Sequence, residues 1–297
     1  MEPKELEKPL LVIVGETTSG KTNLAHQLAI RLNGVIINAD STLLRKEFII
    51  GVDKPSDEMR KEVDYKLIDL VSLDEKFTVV DYQRQAFKEI NKAYQDKKLP
   101  ILVGGSGLYL NSVIYNYSFV ERRPEDQTSV NIETLDNQDL VEVAKAKELD
   151  LAQIDPNNNR RLTSYILNSG KLGKKNNKTN QTYILGIKID RSQLDANIIC
   201  RVNQMLKDGL ENEVNNLLSE GVKFESLNVI GYKEWTDYFK GIDDLENVKK
   251  NIIKNTKILA KKQRTWFKNK MHNDVEWIDY KYNLDEIVDS VTTYFSI

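Results

Sequence analysis

Short apolar runs and amphipathic stretches alternate along the first part of the chain. Three apolar runs have the composition of strands buried on both faces: residues 10–15, 35–38 and 101–103. Two stretches between them carry apolar residues three or four positions apart, the spacing of a helix: residues 22–32 and 82–95. Strands that alternate with helices in this way predict an α/β fold, a parallel sheet flanked by helices.

The character of the chain changes after about residue 118. Residues 121–180 are polar, acidic and rich in asparagine, as in NNNRR and KKNNKTN. We interpret this stretch as a small, mostly helical insertion domain. The expected division therefore has three parts, a first core part, the insertion, and a part that completes the core and adds a basic helix: 1–118, 119–180 and 181–297.

The last third of the chain returns to regular patterns. Residues 182–189 predict a returning strand, and residues 192–220 predict one long helix that ends at Gly221, since glycine often follows a last helical turn. Residues 244–270 again have a helical period. Within them, residues 249–270 hold nine Lys and Arg and no Asp or Glu. Such a stretch is either a solvated helix face or a surface for nucleic acid.

The composition excludes several classes of protein. The 297 residues carry a net charge of −2, with 40% hydrophobic and 30% charged residues, as in ordinary soluble proteins. One cysteine and two histidines exclude a disulfide framework, a Cys-rich zinc site and a His-based metal cage. The apolar runs are too short to span a membrane, and the N-terminal MEPKELEKP lacks the apolar region of a signal peptide. We expect a cytoplasmic protein without a membrane partner.

The clearest chemical signal is the segment GETTSGKT, which follows the first predicted strand and opens the first predicted helix. It fits the phosphate-binding pattern G-x-x-x-x-G-K-[ST], in which backbone N–H groups and the helix N-terminus surround phosphate oxygens. Lys21 would add a positive charge, and the Thr22 hydroxyl is placed to bind Mg²⁺. The pattern predicts a phosphate site on a P-loop NTPase-like core, but it does not name the reaction.

Two further side chains follow predicted strands. Asp40 comes after VIINA, where it is either a carboxylate that acts on an acceptor or the N-cap of a helix. Ser106 follows the two glycines of VGGSG, where it is a ligand group, an N-cap or both. Because ligands of parallel α/β sheets bind at the carboxyl ends of strands, we expect the phosphate loop, Asp40 and Ser106 to converge.

With these residues in place, the chain resembles the bacterial tRNA dimethylallyltransferases over nearly its whole length. Nine segments match that family's motifs in the same order. They are GETTSGKT, NADSTLLRKEFIIGVDKPS, KLIDL, FTVVDYQRQA, PILVGGSGLYLNSVI, IDPNNNRR with the following Gly170-Lys171, RVNQML with the following Gly209-Leu210 and Glu213-Val214, IGYKE, and AKKQRTWFK.

The resemblance implies transfer of a dimethylallyl group from dimethylallyl diphosphate to the N6 amine of adenosine 37, next to the tRNA anticodon. Asp40 would orient the amine and accept its proton, Ser106 would lie near the diphosphate and the base, and Arg201 would bind the diphosphate. Mg²⁺ would be the cofactor, held by Thr22. The residues implied to bind the diphosphate are Gly15, Thr17, Thr18, Ser19, Gly20, Lys21 and Thr22.

The same resemblance implies a tRNA surface that recognises the anticodon stem-loop, with the target base flipped out of its stack. Cations would contact phosphates, and aromatic faces would stack on loop bases. We expect a monomer. The residues implied to contact tRNA are Asp40, Ser41, Thr42, Leu43, Arg160, Arg161, Gly231, Tyr232, Lys233, Lys261, Lys262, Arg264, Trp266 and Lys268.

The chain departs from the family pattern near the phosphate loop and in the basic helix. Glu16 stands at a proline of the loop, and Val52-Asp53 stands at a Thr-Ala pair. Asn197 replaces an arginine one helical turn before Arg201. Lys257 and Lys262 replace arginines, and lysine does not copy the bidentate recognition of phosphate by arginine.

Three other functions share part of these signals. An adenylate isopentenyltransferase has the same phosphate loop and Asp but acts on free AMP, ADP or ATP, and it needs no basic tail. A small-molecule P-loop kinase would transfer phosphate from ATP. A non-catalytic tRNA-binding protein would keep the basic surface without the chemistry. Loss of turnover with retained RNA binding on replacement of Asp40 by alanine would separate the enzyme from the binding protein.

Overall fold

The computed structural model of the chain describes residues 8–120, 132–178, 181–271 and 273–297. The chain divides into two compact units, one made of Met1–Ile114 and Lys178–Ile297 and the other of Tyr115–Asn177. The expected division places this second unit at 119–180. Most of the N-terminal segment MEPKELEKP lies outside the described residues, as does His272.

A six-stranded sheet forms the centre of the first unit, in the order β3-β2-β4-β1-β5-β6. Every neighbouring pair is parallel, so the predicted parallel α/β fold is confirmed. The strands are β1 Pro9–Val14, β2 Gly34–Asn38, β3 Tyr65–Lys66, β4 Leu99–Gly104, β5 Gln181–Lys188 and β6 Val275–Asp279.

Helices connect and flank the strands. In the first unit they are α1 Lys21–Arg31, α2 Asp57–Glu62, α3 Val79–Gln95, α4 Gly107–Ile114, α7 Arg191–Lys207, α8 Leu210–Ser219, α9 Thr236–Phe239, α10 Leu245–Lys270 and α11 Leu284–Phe295. In the second unit they are α5 Asn137–Ala146 and α6 Asn159–Leu167. None of the helices in the described part of the chain combines the length and the apolar composition of a membrane span.

The prediction of one helix over residues 192–220 is wrong. The structure forms two helices, α7 and α8, which meet at Gly209. This glycine adopts φ +96°, a left-handed conformation that glycine tolerates without steric cost and that interrupts a right-handed helix. Gly221 has φ +90° just after α8, in agreement with its predicted place beyond the last turn. The predicted helix near the C-terminus is confirmed as α10.

Apolar side chains explain how these elements hold together. Buried residues of α1 and α11 form one cluster with the sheet, in which Leu24, Leu28 and Val291 are fully buried. A second cluster joins α7, α8 and α10 and includes Ile198 and Trp235. The second unit has its own small cluster from α5 and α6. This packing fixes α7 and α10 in the unit that carries the phosphate loop.

Three neighbouring strands, β2, β4 and β1, bring the candidate residues together. The phosphate loop follows β1, Asp40 follows β2, and Gly105 and Ser106 follow β4. Because the strands are parallel and adjacent, their carboxyl ends lie along one edge of the sheet. The expected convergence of these segments is therefore a consequence of the strand order.

Candidate active site

The phosphate loop, residues 15–22, turns sharply between β1 and α1. Thr18 and Gly20 have positive φ of +61° and +86°, a conformation that points successive N–H groups into one concave surface. The hydroxyl oxygens of Thr18 and Ser19 are buried and have no hydrogen-bond partner within the described part of the chain. Unpaired buried hydroxyls are costly, so these two groups leave hydrogen-bonding capacity unused in the loop.

Lys21 lies in the first turn of α1, with its Nζ 3.5 Å from the carbonyl oxygen of Glu16. Burial lowers the pKa of its ammonium, and the nearby carboxylates of Asp40 and Asp53 oppose that shift. Burial disfavours the charged form of a lysine unless an anion approaches it. The side chain is therefore placed to gain from an anionic ligand in the loop.

Asp40 is held in a tight turn after β2. Its Oδ1 accepts hydrogen bonds from the backbone N–H of Thr42, at 3.2 Å, and from the Thr42 hydroxyl, at 3.0 Å. Its own N–H donates to Asn38 Oδ1 at 2.8 Å. The next helix begins only at Asp57, so Asp40 is not an N-cap. Its carboxylate lines a cavity instead, which favours the interpretation as a reacting group.

Ser106 stands at the N-terminus of α4, and its role as a ligand group stays a prediction. It immediately precedes α4, and its carbonyl oxygen accepts from the N–H of Leu110, as in a first helical turn. Its hydroxyl accepts from the N–H of Ser41 at 3.2 Å and also lines the cavity. Ser106 therefore ties the end of β4 to the segment after β2, beside Asp40.

Gly104 allows β4 to approach the end of β2 closely. A Cβ atom at this position would lie 2.2 Å from the backbone oxygen of Ala39. Ala39 itself pairs with β4, because its N–H donates to the oxygen of Val103 and its oxygen accepts from Ser106. The atoms that a Cβ at Gly104 would meet are backbone atoms of Ala39, which cannot move aside as the end of a flexible side chain could.

Gly104→Ala is accordingly expected to lower the free energy of unfolding by about 1–3 kcal/mol, the usual cost of overpacking a tight interior. Urea unfolding measures the loss. Gly221→Ala is the control, since a Cβ at Gly221 meets nothing within 4 Å and only its positive φ opposes the change, at a cost of about 1 kcal/mol. Equal losses in the two variants would show that the approach at Ala39 does not constrain the fold.

Helix α7 brings two polar side chains to the loop. Arg201 pairs with Asp53 through Nη1 and Oδ2, 3.0 Å apart. Asn197, one turn earlier, donates from Nδ2 to the carbonyl oxygen of Thr18 at 3.1 Å. The amide therefore holds the loop backbone at the position where the family resemblance has an arginine.

Helix α10 contacts the phosphate loop more extensively than the sequence predicts. Gln263 accepts from the N–H of Thr17 at 2.8 Å and donates to the oxygen of Gly105 at 3.3 Å. Arg264 binds the buried Glu16 carboxylate through Nε and Nη2, at 2.6 and 3.0 Å. Sequence reasoning missed Gln263, although it stands inside the matched segment AKKQRTWFK, because a single glutamine among cations carries no local pattern that indicates contact with a distant loop.

These elements enclose a cavity of about 430 Å³, within the range of small-molecule sites. The polar side chains of the lining include Lys21, Thr22, Asp40, Ser106 and Arg201. Much of the remaining lining is apolar, and the part of it that α7, α10 and the segment before Gly231 supply is called the apolar wall below. Its apolar lining side chains include Ile198, Val202, Met205, Val229, Ile230, Ile252 and Leu259.

The residues implied to bind tRNA occupy different environments. Tyr232 is fully buried against Phe48 and donates its hydroxyl hydrogen to Glu213. This placement corrects the prediction for its side chain, which has no surface to offer a tRNA. Its phenol holds the segment after Leu44, because the N–H groups of Ile49 and Gly51 donate to it at 3.1 Å.

The cations of this set lie at the surface. The exposed ones in the first unit are Lys233, Lys261, Lys262, Arg264 and Lys268. Trp266 is half-buried next to Gly107 in α4, while its neighbour Phe267 is fully buried. Arg160 and Arg161 are exposed at the start of α6 in the second unit.

Comparison with known proteins gives consistent matches. A model of the IPP transferase family matches residues 45–270. A tRNA dimethylallyltransferase of Natranaerobius thermophilus is 35% identical over 302 residues, which cover 96% of this chain and 90% of that protein. The fold is similar to the crystal structure of a tRNA Δ2-isopentenylpyrophosphate transferase from Staphylococcus epidermidis, with a TM-score of 0.73 and 33% identity over 98% of this chain and 99% of that one. A tRNA isopentenylpyrophosphate transferase from Bacillus halodurans also has a TM-score of 0.73, with 31% identity over 98% of this chain and 96% of that one.

Proposed function

The chain belongs to the IPP transferase family, and we propose that it transfers a dimethylallyl group from dimethylallyl diphosphate to the N6 amine of adenosine 37 of tRNA, releasing diphosphate. One observation carries the proposal: a phosphate loop, a carboxylate and an apolar wall face the same cavity. An allylic diphosphate donor needs the phosphate loop and the apolar wall, and an amine acceptor needs the carboxylate.

The donor fits the cavity by its two chemical halves. Its diphosphate would take the N–H groups of the loop, the unpaired hydroxyls of Thr18 and Ser19, and the charges of Lys21 and Arg201. Its five-carbon tail would lie against apolar side chains such as Val202 and Met205. The family match and the named relatives, which are tRNA dimethylallyltransferases, weigh against the kinase alternative.

Magnesium is part of the proposal. The Thr22 hydroxyl lines the cavity beside Lys21, and a hydroxyl together with phosphate oxygens forms the hard oxygen donor set that Mg²⁺ prefers. Thr22 would hold the ion against the diphosphate. When bound, the ion would neutralise negative charge on the leaving diphosphate.

The residues on the protein side account for each bond of the transfer. The carbon–oxygen bond to the diphosphate breaks, and that oxygen keeps the electron pair while loop N–H groups and Lys21 stabilise the charge. The N6 amine forms the new carbon–nitrogen bond. Asp40, fixed by Thr42, accepts the proton that the amine loses.

We place the anticodon stem-loop on the surface that adjoins the cavity. The exposed Lys261, Lys262 and Lys268 on α10 supply charge for phosphates, and Lys233 lies on the segment that follows the apolar lining of the cavity. The half-buried Trp266 offers an aromatic face beside α4. We propose a monomer acting in the cytoplasm.

Transfer of radiolabel from labelled dimethylallyl diphosphate tests the proposal. The purified chain is incubated with Mg²⁺ and either unmodified bulk tRNA or a mixture of AMP, ADP and ATP. We expect label in tRNA, at the adenosine 3′ of the anticodon, and none in the nucleotides. Label only in free nucleotides would identify the chain as an adenylate isopentenyltransferase. No label in either sample would remove the transferase assignment.

The pair between Glu16 and Arg264 gives a prediction for the donor site. Arg264→Ala leaves the buried Glu16 carboxylate without its cation beside the phosphate loop. We expect this charge to weaken binding of dimethylallyl diphosphate by about tenfold, because an uncompensated buried carboxylate repels an incoming anion. Adding Glu16→Gln should restore most of the affinity. Isothermal titration of the donor in the presence of Mg²⁺ measures both effects.

Lys262→Ala is the matched control for this cycle, since it removes a charge from the same helix without touching the loop. It should leave donor affinity unchanged and weaken tRNA binding. If the double variant binds the donor no better than Arg264→Ala alone, the carboxylate is not the cause of the loss.

A further inference from the structure

Asp53 stands in the active-site cavity without a part in the transfer. It pairs with Arg201 at 3.0 Å, and both side chains line the cavity with Lys21 and Asp40. Among the described residues that line the cavity, Lys21 and Arg201 are the cations and Asp40 and Asp53 the carboxylates. Their formal charges cancel, so the site that is to bind a polyanion is neutral before the substrate arrives.

The segment that carries Asp53 is anchored on both sides, and this anchoring holds the Asp53 backbone in place beside Arg201. Before Asp53, the N–H of Gly51 donates to the buried hydroxyl of Tyr232. After it, the Lys54 ammonium donates to the carbonyl oxygen of Arg45 at 2.8 Å and pairs with Asp69. Lys54 is therefore occupied elsewhere, and Asp53 has Arg201 as its ion-pair partner.

We infer that Asp53 is a counter-ion that competes with the diphosphate of the substrate for Arg201 and so sets the affinity of the donor site. The inference rests on the proposed function, because it takes the diphosphate to be the ligand at Arg201. In the free enzyme, Asp53 neutralises Arg201. When the donor binds, its diphosphate takes over the guanidinium, and the remaining Asp53 carboxylate repels it.

Removing the negative charge of Asp53 should therefore raise the affinity of the site for diphosphate. Asp53→Asn removes the carboxylate charge while keeping a side chain of the same shape. We expect dimethylallyl diphosphate and inorganic diphosphate, each with Mg²⁺, to bind about three- to tenfold more tightly. The effect is modest because Asp53 is 64% exposed and solvent screens its charge. The difference from the unmodified chain should shrink as salt is raised.

Asp285→Asn is the matched control. Asp285 forms an Arg–Asp pair of similar length with Arg31, 2.9 Å, and its side chain is likewise exposed, at 73%. The replacement changes the net charge by the same amount at a position outside the cavity lining, and it should leave diphosphate affinity unchanged. A similar gain in this variant would mean that net charge, rather than the Asp53 pair, is responsible.

Isothermal titration without tRNA and single-turnover transfer with tRNA give the two readouts. The KM for the donor should fall, while the rate of the transfer step at saturating donor stays within about twofold, since Asp53 does not touch the reacting atoms. Asp53→Ala should act in the same direction, which guards against an effect of the new amide. Weaker or unchanged binding in both variants would overturn the inference and would make Asp53 a support for Arg201. If the unmodified chain does not bind the donor at all, the proposed function fails first.

Discussion

Asp40→Asn is expected to slow transfer to tRNA by a factor of about 10²–10⁴, the usual contribution of a positioned general base. The amide keeps an oxygen that can accept both hydrogen bonds from Thr42, so the turn after β2 should stay in place. It cannot accept the proton that the amine loses. Removing a negative charge near Lys21 also takes away a repulsion, so diphosphate affinity should be unchanged or higher.

Single-turnover transfer, with donor titration run in parallel, measures this effect. Asp40→Ala should lose as much rate as Asp40→Asn, because both variants lack the proton acceptor. Asp74→Asn serves as the control, since it removes an exposed carboxylate that lies outside the cavity lining. A rate for Asp40→Asn within tenfold of the unmodified chain would exclude Asp40 as the proton acceptor.

The parts of the fold that the sequence predicts are those with a local signal. Strands β1 and β2 are buried on both faces along almost their whole length and therefore appear as unbroken apolar runs. Strand β6, Val275–Asp279, has only one buried residue, and its sequence VEWID carries no such run. This segment forms a strand because it pairs with β5, and its own sequence gives no sign of that pairing.

The candidate site likewise has parts that a local sequence signal predicts and parts that it does not. The phosphate loop could be predicted because each of its required residue types lies within eight positions. The contacts of Gln263 with Thr17 and of Arg264 with Glu16 join residues about 250 positions apart. No periodicity in either segment reports such a contact. The position of Glu16 in place of proline becomes meaningful only when α10 is seen beside the loop.

Lys21→Met is expected to lower the rate of transfer by about 10²–10³, the usual loss when one preorganised group that stabilises developing charge is removed. Burial already disfavours the Lys21 ammonium and lowers its pKa. The folded state therefore gains no stability from that charge, and an apolar side chain of similar length should leave the free energy of unfolding unchanged or raise it. The activity loss should come without a stability loss, which urea unfolding and single-turnover transfer together can show.

The affinity for dimethylallyl diphosphate distinguishes the role of Lys21 from that of Asp40. Lys21→Met should lose donor affinity as well as rate, because the ammonium attracts the diphosphate in both the ground state and the transition state. Asp40→Asn should lose rate alone. Lys261→Met, an exposed lysine on α10, is the control and should affect tRNA binding instead. If Lys21→Met binds the donor as tightly as the unmodified chain, the diphosphate does not lie in the phosphate loop, because a loop holding it would bring its charge against Lys21.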